Sequence, residues 1–196
     1  MHRPRRQQPA ATIIWQEMLP TPLCPLWLSF SERGLRAVHF EAPGEAPGPI
    51  WPAGRWQADL AARLRRWRQE AAAALTAYFA GRREQFAHLT LDLKGTPFQL
   101  LVWEALRRVP FGCVTTYQDL ARALGLPRGA QAVGTALRAN PLPIIIPCHR
   151  VVASDGSLGG YRPGVQYKRE LLSLERQATG QSPVPWHGPL PRGEGC

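Results

Sequence analysis

The chain of 196 residues predicts an α/β domain followed by a mainly helical domain that contains a helix-turn-helix. Two observations carry this. Residues 11–92 combine short apolar runs of strand character with one long amphipathic segment. From residue 93 the strand texture gives way to short helical segments separated by Gly/Pro turns.

The elements follow in order. "MHRPRRQQPA" is a basic extension, residues 1–10, that leads into no long apolar segment and so is no secretory signal. "ATIIWQEML", "LWLSF" and "LRAVHF" read as three strands, the last two joined by the turn "SERG". "EAPGEAPGPIWPAG" is a Pro/Gly loop in which neither helix nor strand persists. "WQADLAARLRRWRQEAAAALTAYFAG" predicts a long helix with Leu60, Leu64 and Trp67 at helical spacing, ended by Gly81. "LTLDL" at 89–93 alternates and reads as a last strand, so residues 11–92 form one unit of three strands, a helix and a strand.

The second domain, 93–176, opens with "GTPFQLLVWEALRRV". Thr96 is its cap, and Pro97 takes the first helical position, where a missing N–H costs nothing. "TTYQDLARALG" is a second helix, capped by Thr115 or Thr116 and closed by Gly125. After "LPRG" comes a third, "AQAVGTALRAN", and the tight turn between them makes a helix-turn-helix. Ala130, Ala132, Gly134, Thr135 and Ala136 on the third helix are small, which lets its backbone approach something closely. A glycine there costs about 1 kcal/mol against alanine, so Gly134 implies a packing or docking reason. Residues 177–196 are Pro/Gly-rich without periodicity and read as a disordered tail, in which His187 and Cys196 are inert.

Charge narrows the function. The net charge of +10 favours a polyanionic partner. Residues 93–176 hold 11 basic against 5 acidic side chains, and residues 1–92 hold 12 against 8, so the helical domain is the more basic for its length. No apolar run approaches the roughly 20 residues that cross a bilayer. The four cysteines, Cys24, Cys113, Cys148 and Cys196, make neither a disulfide framework nor a zinc spacing, which fits a reducing cytosol. Cys113, in a helix connector, reads as structural.

The chemistry concentrates in "NPLPIIIPCHRVV", residues 140–152. Pro141, Pro143 and Pro147 stiffen the backbone around one thiol. A buried structural cysteine needs no such help, whereas a reactive one needs a fixed direction of attack and a partner for its proton. His149 is the adjacent base, reaching the sulfur through a turn or a water, and an imidazole in that role needs a carboxylate behind it. Asp155, Glu170 and Glu175 are the candidates.

"RANPLPIIIPCHRVV", with "TTYQDLARALG" before it and "GGYRPGVQYKRELLSLE" after, resembles the O6-alkylguanine-DNA alkyltransferases. The resemblance covers 93–176, and 11–93 is similar to the family's N-terminal domain. It implies an RNase H-like antiparallel sheet with a helix, then a winged-helix-like domain with the helix-turn-helix. It also implies that Cys148 takes the alkyl group from guanine irreversibly, in a single turnover and without a cofactor. His149 would draw off the thiol proton through a water, Glu175 would orient the imidazole, Tyr117 would hydrogen-bond the flipped guanine and Asn140 would brace the loop. Thr116, Arg128, Ala130, Gln131, Ala132, Gly134, Thr135 and Arg138 would meet the DNA through its minor groove. Leu137, Pro147, Val151, Tyr161 and Arg162 would form the base pocket, with the carbonyls of Cys148 and Val151 reading the guanine amino group. The implied partner is duplex DNA carrying O6-alkylguanine, met by a monomer in the bacterial cytosol or nucleoid, with no membrane involved.

The physics of such a reaction agrees. A base inside a duplex must be extruded to meet a buried sulfur, and lesion binding is mostly backbone contact because damage occurs in any sequence. The sequence also departs from the family. Gln131 stands where an arginine usually fills the gap left by the flipped base, and Arg162 stands where some members carry a serine. Ser31 and Arg36 replace a cysteine and a histidine of the zinc site found in some members, so no metal is expected. Three other readings compete with this one: an alkyltransferase-like lesion binder, which usually lacks the cysteine; a major-groove regulator, which needs large polar side chains on the third helix; and a cysteine hydrolase.

Overall fold

The computed structural model describes residues 13–40, 58–83 and 86–180. The basic extension, the whole of the Pro/Gly loop, His187 and Cys196 fall outside them. Strands β1 (Ile13–Leu19), β2 (Leu26–Ser31) and β3 (Gly34–His39) form an antiparallel sheet in that order. Leu26, Leu28 and Phe30 alternate along β2 and are fully buried, as period-two patterning requires. Helix α1 (Ala58–Phe79) lays Leu64, Trp67, Ala71, Leu75 and Tyr78 into the core, while Leu60 is half-buried. It stops where glycine permits the left-handed turn: Gly81 has φ 74°, and Arg82 N–H donates to the Ala77 carbonyl at 3.1 Å.

The stretch 89–93 is not the strand that its alternation predicts. It meets the edge of β3 in one parallel bridge, Leu35 with Leu91. Leu35 N–H donates to the Thr90 carbonyl and Asp92 N–H to the Leu35 carbonyl, both at 2.9 Å. Gly34, at φ 143°, allows this approach, since a Cβ there would strike the Thr90 carbonyl. Asp92 then turns its carboxylate away from the ladder to accept from Ser31 at 2.7 Å and Arg36 at 2.9 Å. Ser31 and Arg36 are therefore tied together through a carboxylate.

In the helical region α2 (Pro97–Leu106) starts with a complete capping box: Thr96 Oγ1 accepts from Gln99 N–H, and Gln99 Oε1 from Thr96 N–H. Helix α3 (Tyr117–Ala123) is capped by Thr116 and not by Thr115. Both threonines form the short strand β4 (Thr115–Thr116), which runs parallel to β5 (Val151–Val152). Helix α4 (Ala130–Arg138) follows the turn closed by Gly125 at φ 73°. Buried Trp103 ties α2 to α4 by donating Nε1–H to the Ala136 carbonyl at 2.9 Å. A final helix, α5 (Val165–Ala178), carries Lys168, Leu171, Leu172 and Glu175 inward at i, i+3, i+4 and i+7, and runs past the expected boundary at 176.

The expectation of unpaired cysteines fails at one position. Cys24 and Cys148 are free, but Cys113 is disulfide-bonded. Spacing along a chain does not reveal which sulfurs meet in space. The core also ignores the domain boundary, because one continuous apolar cluster contains Leu26 and Leu75 as well as Val133, Ile146 and Leu171.

Candidate active site and nucleic-acid face

The loop from Asn140 to Arg150 is a compact double turn. Ile144 sits at φ 74°, a region that a β-branched residue rarely enters. The prolines on either side and burial of Leu142, Ile145 and Ile146 hold it there. Asn140 binds the turn from within: its Nδ2 donates to the Ile146 carbonyl at 2.9 Å and to Cys148 Sγ at 3.1 Å, and its Oδ1 accepts from Leu142 N–H at 2.9 Å. Cys148, His149 and Arg150 then form a single 3₁₀ turn, so the histidine follows the cysteine round a bend rather than along a strand.

Behind the cysteine lies a buried charge cluster. Glu175 accepts from His149 Nε2 at 2.7 Å, Tyr78 Oη at 2.8 Å, Gly112 N–H at 2.9 Å and Arg150 Nε and Nη2 at 3.0 Å. Arg150 also donates to the Val109 carbonyl at 2.7 Å and lies over the Phe111 ring. Burial alone would raise the Glu175 carboxyl, but His149 and Arg150 outweigh it and hold it at about 2. Burial lowers His149 more than the carboxylate raises it, which keeps the imidazole neutral at neutral pH. With Nε2–H given to Glu175, Nδ1 is left bare, and it has no partner among the described residues. Asp155 and Glu170, the other candidate carboxylates, are exposed on the surface.

Burial raises the Cys148 thiol, while the Asn140 amide, the Lys168 charge and the nearby Tyr161 hydroxyl draw it back. Tyr161 Oη meets no partner at hydrogen-bond geometry among the described residues, so its help to the sulfur is that of a nearby dipole. Lys168 is fully buried and donates Nζ–H to the carbonyls of Val151 and Leu158; burial lowers it to about 8. The resting state is therefore a thiol, with a neutral base beside it and a cation nearby.

The sulfur forms part of a cavity of about 710 Å³. Tyr117, Gly134, Leu137, Arg138 and Asn140 line it together with Gly160, Tyr161, Arg162 and Pro163. Pro147 and Val151 are buried outside the lining, and the Val151 carbonyl already accepts from Lys168. Tyr117 Oη reaches toward the Gly160 carbonyl at 3.4 Å, and burial followed by the nearby sulfur raises its phenol. Beyond the cavity α4 exposes Gln131, Ala132, Thr135 and Arg138, with Arg128 exposed in the turn before it, Ala130 half-buried at its start and Thr116 half-buried beside β5. A Cβ on Gly134 would rest 3.7 Å from the Tyr117 ring, an ordinary contact, so internal packing does not demand glycine there.

The sequence did not point to four contributors. Tyr78 and Arg150 complete the Glu175 cluster, Lys168 borders the sulfur, and β3 with the residue after it supplies Ala37, Val38, His39 and Phe40 to the cavity wall. Only the Cys-His-Arg run hinted at Arg150. The others depend on contacts between segments far apart in the chain.

A basic helix pair opening onto a pocket with a braced thiol and a His–Glu pair behind it defines a DNA-binding protein with a nucleophilic cysteine. Comparison with known proteins identifies which. Residues 97–177 match the 6-O-methylguanine DNA methyltransferase DNA-binding domain, and residues 14–93 match the ribonuclease-like domain of the same proteins. A methylated-DNA–protein-cysteine methyltransferase of Methanosarcina barkeri is 38% identical over 165 residues, covering 83% of this chain and 97% of the relative. One from Haemophilus influenzae is 34% identical, covering 84% and 88%. The crystal structure of Mycobacterium tuberculosis OGT in complex with DNA superposes with a TM-score of 0.67 at 34% identity, covering 83% of this chain and 93% of that one. The chain belongs to the 6-O-methylguanine DNA methyltransferase family.

Proposed function

We propose that the protein repairs duplex DNA by moving the alkyl group of O6-alkylguanine, and by extension of O4-alkylthymine, onto Cys148. Each molecule does so once and acts as a monomer in the compartment that holds the DNA. The observation that carries this reading is a free thiol on a pocket wall with a neutral, bare-Nδ1 histidine in the next position. His149 takes the thiol proton through a water while Glu175 holds Nε2–H and stabilises the resulting imidazolium. The thiolate attacks the alkyl carbon, the C–O6 bond breaks, and its electron pair stays on the guanine. Tyr117 offers its O–H to the departing base. The S–C bond is a thioether that no group in the pocket can hydrolyse, so turnover ends there.

The small exposed face of α4 suits minor-groove approach, where the base code is degenerate and lesion binding need not read sequence. Gln131 enters the gap left by the extruded base as a neutral hydrogen-bonding group. Arg128 and Arg138 meet phosphates.

The test is mass spectrometry after incubation with a short duplex carrying one O6-methylguanine. A Cys148 peptide gaining one methylene, with guanine restored in the duplex, is the expected result. Tight lesion-selective binding with no mass change would replace this reading with a non-reactive lesion binder.

A further inference from the structure

The cavity is larger and more cationic than a methylated base requires. A volume of about 710 Å³ is in the range that takes a drug-sized ligand, and its lining contains His39, Arg138 and Arg162 but no carboxylate. Arg138 lies on the DNA-facing helix, where phosphates would meet its charge. Arg162 differs. It follows Tyr161, whose hydroxyl borders the sulfur, and it faces the wall contributed by β3. Its guanidinium forms no ion pair among the described residues, and its charge is felt by His39 across the cavity, whose protonation it opposes after burial has done so. A cation that lines the same cavity as a nucleophilic thiol is placed for a negative charge on the alkyl group that the thiol takes.

We propose that Arg162 selects O6-carboxyalkylguanines, with the wall at His39 and Phe40 giving the extra length room. This rests on the alkyl-transfer reading and adds a substrate class to it. An O6-carboxymethyl group brings a carboxylate next to the carbon under attack, so the incoming thiolate and the substrate repel each other in a partly desolvated site. A guanidinium within reach forms a charge-assisted, bidentate pair with that carboxylate and removes the repulsion. The balance of the step is unchanged: S–C forms at the methylene, C–O6 breaks with its electrons on guanine, and Cys148 is left as S-carboxymethylcysteine.

The experiment measures single-turnover transfer from three otherwise identical duplexes, bearing O6-methyl-, O6-carboxymethyl- or the neutral O6-carboxamidomethylguanine. Each is read by the adduct on Cys148, for the full-length protein and for Arg162→Gln and Arg162→Lys. Expected is a fall of about 10- to 100-fold in the carboxymethyl rate relative to the carboxamidomethyl rate in Arg162→Gln, the range for losing one charged pair, with the ratio largely restored in Arg162→Lys. Equal losses on all three duplexes would make Arg162 a phosphate contact and overturn the proposal. An unchanged ratio would overturn it as well. Absence of transfer from the methyl duplex by the unaltered protein would instead remove the reading on which it rests.

Discussion

The rear of the reaction centre and the face of α4 are built by opposite rules. Behind Cys148 the polar groups are buried and converge on one another: one carboxylate, Glu175, collects donors from α1, the α2–α3 connector and the cysteine turn. On α4 the outward residues are small, exposed and sparsely bonded; the Thr135 hydroxyl returns only to the Gln131 carbonyl of its own helix, at 3.1 Å. One region stores rigidity, and the other leaves its contacts to be made with DNA. Preorganising the nucleophile from behind leaves the front free to accept any sequence context.

The comparison can be broken hardest at Glu175. Glu175→Gln strips the countercharge from buried Arg150 and should destabilise the fold by about 3–5 kcal/mol, as broken buried pairs do. Thermal unfolding reads this as a fall of roughly 6–20 °C for a chain of this size. Tyr78→Phe removes a single donor to the same carboxylate and should cost about 1.5–3 kcal/mol. A loss below about 0.5 kcal/mol in both would mean that the cluster is ornamental.

Acid titration sharpens the same point. Glu175 titrates at about 2 when folded against 4.5 ordinarily, so its contribution is complete above about pH 4.5 and is lost as pH falls toward 2. His149 is lowered from 6.5, so the neutral base persists below that value and protonating it opposes folding. The single-turnover rate should therefore hold through pH 6.5 and decline only at lower pH. An acid limb centred above 6.5 would rule out His149 as the base.

The smallest effect belongs to the exposed helix and carries the opposite sign. Gly134→Ala should raise stability by about 1 kcal/mol through helix propensity, since its Cβ meets only an ordinary contact with Tyr117. Binding to lesion-bearing duplex should weaken, measured by fluorescence anisotropy. A variant that is more stable and binds equally well would show that close approach does not need the glycine.

How much the sequence disclosed follows the same division. The cap at Thr96, the stop at Gly81 and the helix pair depend on neighbours within a few residues, and all were legible. The thiol announced itself through its prolines, and the family pattern singled out Glu175. The rest of the cluster was hidden because Tyr78 meets Glu175 across 97 residues and Arg150 across 25. The 89–93 segment misled for a related reason: alternation marks a segment fit for a sheet, but Asp92 is recruited sideways by Ser31 and Arg36. The inward row of helix α5 mixes Lys168 and Glu175 with Leu171 and Leu172 and so shows no clean apolar stripe, and Cys113 gave no local sign of its bond.

Ile144 gives the cysteine loop its character. A β-branched residue in the left-handed region carries of order 1–3 kcal/mol of strain. Glycine would sit there comfortably, yet it would restore torsional freedom to a turn whose task is to aim one sulfur atom. Isoleucine does the reverse: its side chain is locked in the core with 1% exposure, and the strained backbone is clamped by that anchor. The loop is thus a loaded catch. It gives up some stability so that the reagent points the same way in every copy of a protein that fires once.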